Sequence, residues 1–478
     1  MFKNKRLNIL LKVLITITSL LGFIFLLYAR STFISSDTAW HLKLGEWIVS
    51  NKAIPKFDTM SLLSSEYDMK FIAHEWLFDI IFHGIDKLFS LNGLIIISCI
   101  FVLLSYVYVI YKSERYKEGI SIAIVFILVG FTKLIGVRPD TFSAIIFIIL
   151  GYNFLYETNK IKQYIVNILL SIFLANIHGG MVSVSILQQV WFLVSSFIVD
   201  KKIDRNKIVL LVTTILSSLI NPYGFEAFKY VIMADSTVTV YYSDWSPFAF
   251  SGMLQIFIIV LLYSLCIYGF VKSDERNKLD ILVMSMYLIM LFKYQRTLNI
   301  FNYAFILYFS KYLSFIFDKK VVNKLFYGVV NTFSFFLILL VIFCKDLPSI
   351  SVKDYITENI IGNEVLSELK DTRYFNDISL GGYLIYLDEK PFIDTRSDPY
   401  LTEYGNQDLF NPYVRSLHSV TLMNDLTSKY NLDYLLLTKN TLTSQIFYAS
   451  SDWEVTCESK STVIFKRNIY ERNEKDVY

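Results

Sequence analysis

Charge is scarce in this chain. Only 18% of its 478 residues are Asp, Glu, Lys or Arg, where an ordinary soluble domain carries about a quarter. Proline is sparse as well, with 8 residues, which excludes a proline-rich linker or low-complexity polymer. The four cysteines, Cys99, Cys266, Cys344 and Cys457, have neither paired nor metal-ligand spacing. Three of them lie in apolar runs, where cysteine behaves as a small hydrophobe. The net charge of +3 sits in short clusters rather than one basic stripe, which excludes a nucleic-acid partner.

What fills the space is apolar. Hydrophobic residues make up 54% and aromatic residues 17% of the chain, and the mean hydropathy is +0.47. The apolar residues come in long runs, so the composition is that of a multi-pass membrane protein. Eleven spans are predicted: Leu7–Ala29, Leu91–Tyr111, Gly119–Ile135, Thr141–Tyr156, Tyr164–Ile177, Met181–Val199, Ile208–Ile220, Met253–Val271, Leu279–Phe292, Leu298–Phe317 and Leu325–Phe343. The first outlasts a signal-peptide core and lacks a clean cleavage site, so it reads as an uncleaved span.

Basic loops set the orientation. Lys3–Arg6, Lys112–Lys117, Lys160–Lys162, Lys201–Lys207, Lys272–Lys278 and Lys319–Lys324 alternate with the other loops and fall on one side, so the N-terminus is expected in the cytoplasm. The opposite side receives the loop Ser35–Asp86 and the whole tail after Lys345. Domain 1–345 is therefore expected to be the membrane domain, including a first outer loop over 30–90, and 346–478 an extracytoplasmic α/β domain. In that tail, Ile356–Leu369 fits an amphipathic helix, and Tyr383–Leu387, Pro391–Asp394, Tyr434–Leu437 and Thr462–Lys466 read as short strands.

The outer loops gather nearly every unusual polar residue: Asp37, His41, His74, Glu75, Arg138, Asp140, His178, Asn221, Asp244 and Arg296. Outside the cell there is no ATP or nucleotide sugar. Chemistry there must draw on a group already activated, most simply one carried by a lipid. Asp37 lies about eight residues past the first span, near enough to the bilayer to serve as general base toward an incoming hydroxyl. It equally suits the N-cap of the helix that A-W-H-L-K-L-G-E-W-I predicts, a helix whose Trp40 and Trp47 read as interfacial anchors.

Glu75 has three open readings: a second acid, a metal ligand, or a charge complementing the dipole of the amphipathic run Trp76–Phe89. A zinc-protease motif is excluded, because Phe78 stands where the second histidine is needed and the next one is His83. Arg138 and Arg296, with Lys293, are cations at outer membrane edges, where a positive-inside bias disfavours them. A phosphate or pyrophosphate would account for them, as would an ion pair of Arg138 with Asp140 or Asp37. His41, His74, Asp140, His178 and Asn221 complete the candidates as substrate-binding residues. His178 and Asn221 also suit turns, in H-G-G and N-P-Y-G respectively.

These residues carry a resemblance. D-T-A-W-H-L-K-L-G-E-W-I, I-P-K-F-D-T-M-S, H-E-W-L, V-R-P-D, N-I-H-G-G, N-P-Y-G and the late Q-R resemble, in that order, a bacterial and largely uncharacterised branch of the GT-C superfamily of integral-membrane glycosyltransferases. F-N-D-I-S-L-G-G-Y-L-I-Y, P-F-I-D-T-R-S-D-P-Y and K-Y-N-L-D-Y-L-L-L look like the outer domain of that branch. The resemblance implies a polyprenyl-phosphate-linked sugar donor, a cell-envelope glycan, lipid or protein as acceptor, an extracytoplasmic site and inversion at the sugar carbon. It matches the catalytic acid of the first loop to Asp37 and a further acid to Glu75. Some members require a divalent metal such as Mg or Mn and others do not. Two other readings stay open: a flippase or transporter for a lipid-linked saccharide, and a non-catalytic envelope-assembly protein on the same fold.

Overall fold

The computed structural model describes residues 34–115, 118–120, 122–123, 126, 136–234, 253–274, 276–317, 351–396, 398–402 and 405–468. The first and last predicted spans, most of Gly119–Ile135, and Asp244 lie outside these residues.

The chain divides into two compact units. One comprises the described residues between 92 and 231 and from 253 to 317; the other comprises 34–91, 232–234 and 351–468. The loop that follows the first predicted span thus packs with the tail.

Two helices build the loop. Helix α1 spans Ser36–Asn51. The local sequence S-S-D-T starts it: the Ser35 hydroxyl accepts the Thr38 amide at 3.2 Å and the Thr38 hydroxyl accepts the Ser35 amide at 3.3 Å, a reciprocal box that satisfies two end-of-helix donors. Helix α2 spans Trp76–Lys112 with a non-helical residue, Ser90, at φ 56°. The division between the two units falls beside that break, so the amphipathic part before Ser90 belongs with the loop and the predicted span after it with the helical unit.

The helical unit continues with α3 (Pro139–Tyr156), α4 (Lys160–Ile177), α5 (Gly179–Asp200), α6 (Arg205–Ser218), α7 (Phe225–Ala234), α8 (Met253–Lys272), α9 (Lys278–Lys293) and α10 (Leu298–Ala304). The last residues of α7 fall in the other unit. A π-helical turn, Phe305–Phe309, follows α10. Four helices among the described residues, α2 to α5, are long and apolar enough to cross a membrane. This is a membrane protein. Uncharged polar side chains bind α4, α5 and α6 together: the Asn167 amide donates to the Thr214 hydroxyl at 2.8 Å, and that hydroxyl donates to Gln189 at 2.9 Å. Such bonds hold helices together where no water competes.

The tail contains α11 (Val352–Ile356), α12 (Asn363–Leu369), β1 (Tyr374–Asn376), α13 (Ile378–Tyr386), α14 (Phe410–Ser416), α15 (Val420–Tyr430), β2 (Tyr434–Thr438), α16 (Leu442–Tyr448), β3 (Trp453–Glu458) and β4 (Thr462–Arg467). The sheet order is β1-β2-β4-β3, with β1 parallel to β2 and the other pairs antiparallel. Leu435–Leu437 and Val463–Phe465 are fully buried in the central strands, which is why these two runs read as strands from sequence.

Four expectations are corrected. Tyr383–Leu387 is not a strand: Tyr383–Tyr386 closes α13. Pro391–Asp394 is irregular backbone. The expected helix Ile356–Leu369 is broken at Gly362, φ 96°, after a π-helical turn over Thr357–Ile361. Trp40, read as an interfacial anchor, is 8% exposed, because the apolar side of α1 packs inside its own unit.

Candidate functional site

Asp37 is not the N-cap of α1; Ser35 is. Asp37 lies half-buried in the first turn, where a carboxylate complements the partial positive charge of the helix N-terminus. His41 is four residues on, hence on the same face.

His41 is 3% exposed. Its Nδ1 lies 2.6 Å from Asp79 Oδ1 and its Nε2 lies 3.4 Å from Glu75 Oε2. The other Glu75 oxygen is 3.8 Å from His74 Nε2, and His74 Nδ1 is 3.6 Å from Asp398 Oδ2 and 3.0 Å from the Ile72 carbonyl. Acids and imidazoles therefore alternate in a row, Asp79–His41–Glu75–His74–Asp398. The row joins α1, the start of α2 and the tail. Burial alone would lower the His74 pKa; the charges of Glu75 and Asp398 and the Ile72 carbonyl outweigh it and push His74 up to about 9. Asp79, in the part of α2 before Ser90, is pushed up by burial and by the nearby Glu75 charge. Its Oδ2 is buried without a hydrogen-bond partner. An acid whose pKa burial raises beside an imidazole, and an acid held between two imidazoles, can store and pass protons.

A second buried cluster joins the same loop to the tail. Arg396 Nη1 donates to Asp58 Oδ1 at 2.7 Å, while its Nε and Nη2 donate to the two oxygens of Asp394 at 2.9 and 2.8 Å. Tyr400 donates to Asp394 Oδ2 at 2.8 Å. Asp58 also accepts from Ser61 and, at 3.0 Å, from the Met60 amide. Burial would raise the Asp58 pKa, but the Arg396 guanidinium and these hydrogen bonds hold it below the usual carboxylate range.

The remaining candidates belong to the helical unit. Arg138 Nε is 3.8 Å from Asp140 Oδ1, and Arg296 Nη2 is 3.9 Å from Asp140 Oδ2. Two of the three predicted phosphate-binding cations thus meet at one carboxylate near the start of α3. His178, 7% exposed, faces Ser143 Oγ through Nδ1 at 2.6 Å, and the same hydroxyl is 3.3 Å from the Asp140 carbonyl. Lys293 lies exposed at the end of α9 with Nζ 4.7 Å from the Tyr294 ring centroid. The Asn221 side chain closes the N-P-Y-G turn, donating to the Ser218 carbonyl at 2.8 Å and accepting from the Tyr223 amide at 2.9 Å. It also lines a small cleft with Ala175, Gly179 and Val182.

Asp79, Asp398, Ser143 and Arg396 were missed from sequence. Asp398 and Arg396 lie in the quoted stretch P-F-I-D-T-R-S-D-P-Y, but nothing local couples that stretch to residues 338 positions earlier. Asp79 sits four residues past Glu75, a helical spacing that was available as a signal. Among the described residues, no group of three or more His, Cys, Asp and Glu side chains is arranged to hold a metal ion.

The structure matches those of the oligosaccharyltransferase of Archaeoglobus fulgidus. With the apo form the TM-score is 0.55 at 12% identity, covering 89% of this chain and 69% of that one. With the complex of the archaeal oligosaccharyltransferase AglB, an inhibitory peptide and a dolichol-phosphate, the TM-score is 0.56 at the same identity and coverage. With the zinc and sulfate complex it is 0.52 at 14% identity, covering 89% and 68%. No protein-family profile matches the chain, and no curated protein matches it in sequence. The chain shares the fold of these oligosaccharyltransferase structures.

Proposed function

We propose that the chain is a glycosyltransferase that moves a sugar from a polyprenyl-phosphate-linked donor to a cell-envelope acceptor on the extracytoplasmic face of the membrane, with inversion. The observation that carries this reading is the placement of Asp37. It is a half-exposed carboxylate on the first turn of a helix whose next residues are buried, in a chain with the fold of an oligosaccharyltransferase that has been captured with a dolichol-phosphate. A rigid helix terminus suits a catalytic group that must not wander.

In the proposed reaction, Asp37 takes the proton of the acceptor hydroxyl. The hydroxyl oxygen forms a new bond to the anomeric carbon, and the bond from that carbon to the phosphate oxygen breaks with its electron pair. Polyprenyl phosphate leaves. Arg138 and Arg296, with Lys293, are the cations assigned to the negative charge that grows on the phosphate, where preorganised cations act most strongly. Asp140 holds the two arginines in place until the phosphate arrives. Glu75, between His41 and His74, is the second acid of the site. The N-terminus is cytoplasmic, and the loop and tail lie outside, as the basic loops indicate.

The flippase reading asks for ionisable groups deep in the spans. Within the helical unit the uncharged Asn167, Thr214 and Gln189 bond to one another, which suits glue between helices, and the buried Asp280 is paired with Lys311 at 2.9 Å.

The test is transfer from a panel of polyprenyl-phosphate sugars by the purified full chain supplied with cell-envelope extract, wild type against Asp37→Asn. The expected result is donor consumption that falls by roughly 10²–10⁴-fold in the variant, with thermal unfolding unchanged. Full activity in a folded Asp37→Asn protein sinks the reading.

A further inference from the structure

The tail grips Ile34 and Ser36, just before Asp37. The Gly382 amide donates to Ser36 Oγ at 2.9 Å, and the Tyr383 hydroxyl donates to the Ile34 carbonyl at 2.9 Å. A Cβ on Gly382 would stand 2.0 Å from the Ser36 carbonyl oxygen. Two backbones meet there, so a side chain on Gly382 could be admitted only by moving α1 or α13. The middle of α1 is held as closely: a Cβ on Gly45 would stand 2.1 Å from the Asp79 carbonyl oxygen. Lys43 of α1 is paired with Asp388 at 2.5 Å, just beyond the end of α13. Burial, then Tyr355, then the charge of Asp37 push the Tyr383 hydroxyl above its ordinary range, so Asp37 is near enough for this phenol to feel it.

We propose that Gly382 and Tyr383 are positioning residues for Asp37, and that the tail's contribution to catalysis is to fix the N-terminus of α1 rather than only to cap the site or bind acceptor. This rests on Asp37 acting as the base. The contacts fall on residues 34, 36 and 382–383, and the charge they place is at 37. A displacement of about 1 Å in a reacting group costs roughly 10²-fold in rate. The backbone collision at Gly382 is of that size or larger. Removing the Tyr383 hydroxyl or the Ser36 hydroxyl deletes one tether each and asks for a smaller movement.

The experiment compares full-length Gly382→Ala, Tyr383→Phe and Ser36→Ala with wild type in two measurements. The first is transfer from the donor that wild type consumes, resolved into kcat and donor KM. The second is hydrogen exchange at the Thr38 and Ala39 amides, which Ser35 holds. The expected result is a kcat lower by roughly 10²-fold for Gly382→Ala and by a smaller factor for the other two. Donor KM stays within about twofold, and both amides exchange faster. Wild-type kcat and wild-type exchange in the folded variants overturn the proposal. Should Gly382→Ala not fold, unchanged kcat in both Tyr383→Phe and Ser36→Ala overturns it as well. Full activity in Asp37→Asn would remove the base reading instead; the exchange measurement still reports on the grip itself.

Discussion

Around Arg396 one guanidinium is shared by two carboxylates at 2.7–2.9 Å. Around Glu75 one carboxylate is shared by two imidazoles at 3.4 and 3.8 Å. The first is fully buried and the second partly exposed at Glu75 and His74, and both join the loop to the tail. The first is closed: the guanidinium is always charged, its fork matches the Asp394 carboxylate, and hydroxyl and amide donors fill the remaining oxygens. The second is open. Its charges depend on pH, the contacts of Glu75 with the two imidazoles are long, and Asp79 keeps a buried oxygen without a hydrogen bond. The first arrangement suits holding two pieces of chain in one geometry. The second suits moving protons.

The largest effect expected of this contrast is on stability. Arg396→Met leaves Asp58 and Asp394 buried without their cation, which should cost about 3–5 kcal/mol, read by chemical denaturation of the purified protein. A cost below about 1 kcal/mol would show that the cluster is not the fastening it looks like.

The next is pH dependence, where the two clusters carry opposite signs. The folded His74 pKa of about 9 lies above the ordinary 6.5, so its stabilisation is fully present below pH 6.5 and is lost as pH rises through 9. Asp79, also raised, adds to the same trend. The lost stability for His74 is on the order of 3 kcal/mol, and His74→Gln should flatten the decline between pH 6.5 and 9. Asp58 is depressed, so its contribution is present above the ordinary 3.8 and is lost on acidification below it. Stability measured across pH in wild type and His74→Gln checks both limbs. A slope between pH 6.5 and 9 that survives the substitution breaks the assignment.

The smallest effect is a control on the surface. Arg373 pairs with Glu66 at 2.7 Å, both partly exposed, and Arg373→Ala should cost no more than about 1 kcal/mol in the same denaturation. A loss as large as that of Arg396→Met would mean that burial is not what separates the clusters.

Some of this was legible in the sequence. The apolar runs marked the helices, and Leu435–Leu437 and Val463–Phe465 marked the central strands, because burial on both faces leaves an unbroken apolar run. Asp37 stood out because it follows a span and opens an amphipathic pattern. What the sequence could not reveal was set by partners far along the chain. Tyr383–Leu387 looked like a strand, yet its start lies with Gly382 within α13, where the absence of a side chain at Gly382 admits the backbone of Ser36. Trp40 looked like a membrane anchor because the protein surface that covers it is not local. Arg396 carries no signature of its own: nothing in the neighbouring sequence points to Asp58, 338 residues earlier.

The bond between Gly382 and Ser36 spans 346 residues, and that separation is also a delay. At roughly 5–20 residues per second, synthesis leaves α1 without its partner for roughly 17–70 seconds. Through that interval its apolar side, from Trp40 to Ile48, has no tail to pack on. The grip beside Asp37 closes only once Gly382 and Tyr383 have been made. The order of synthesis therefore acts as a timer on the active centre: a nascent or prematurely ended chain holds the base but not the grip, and under the proposed function it stays idle until the tail arrives.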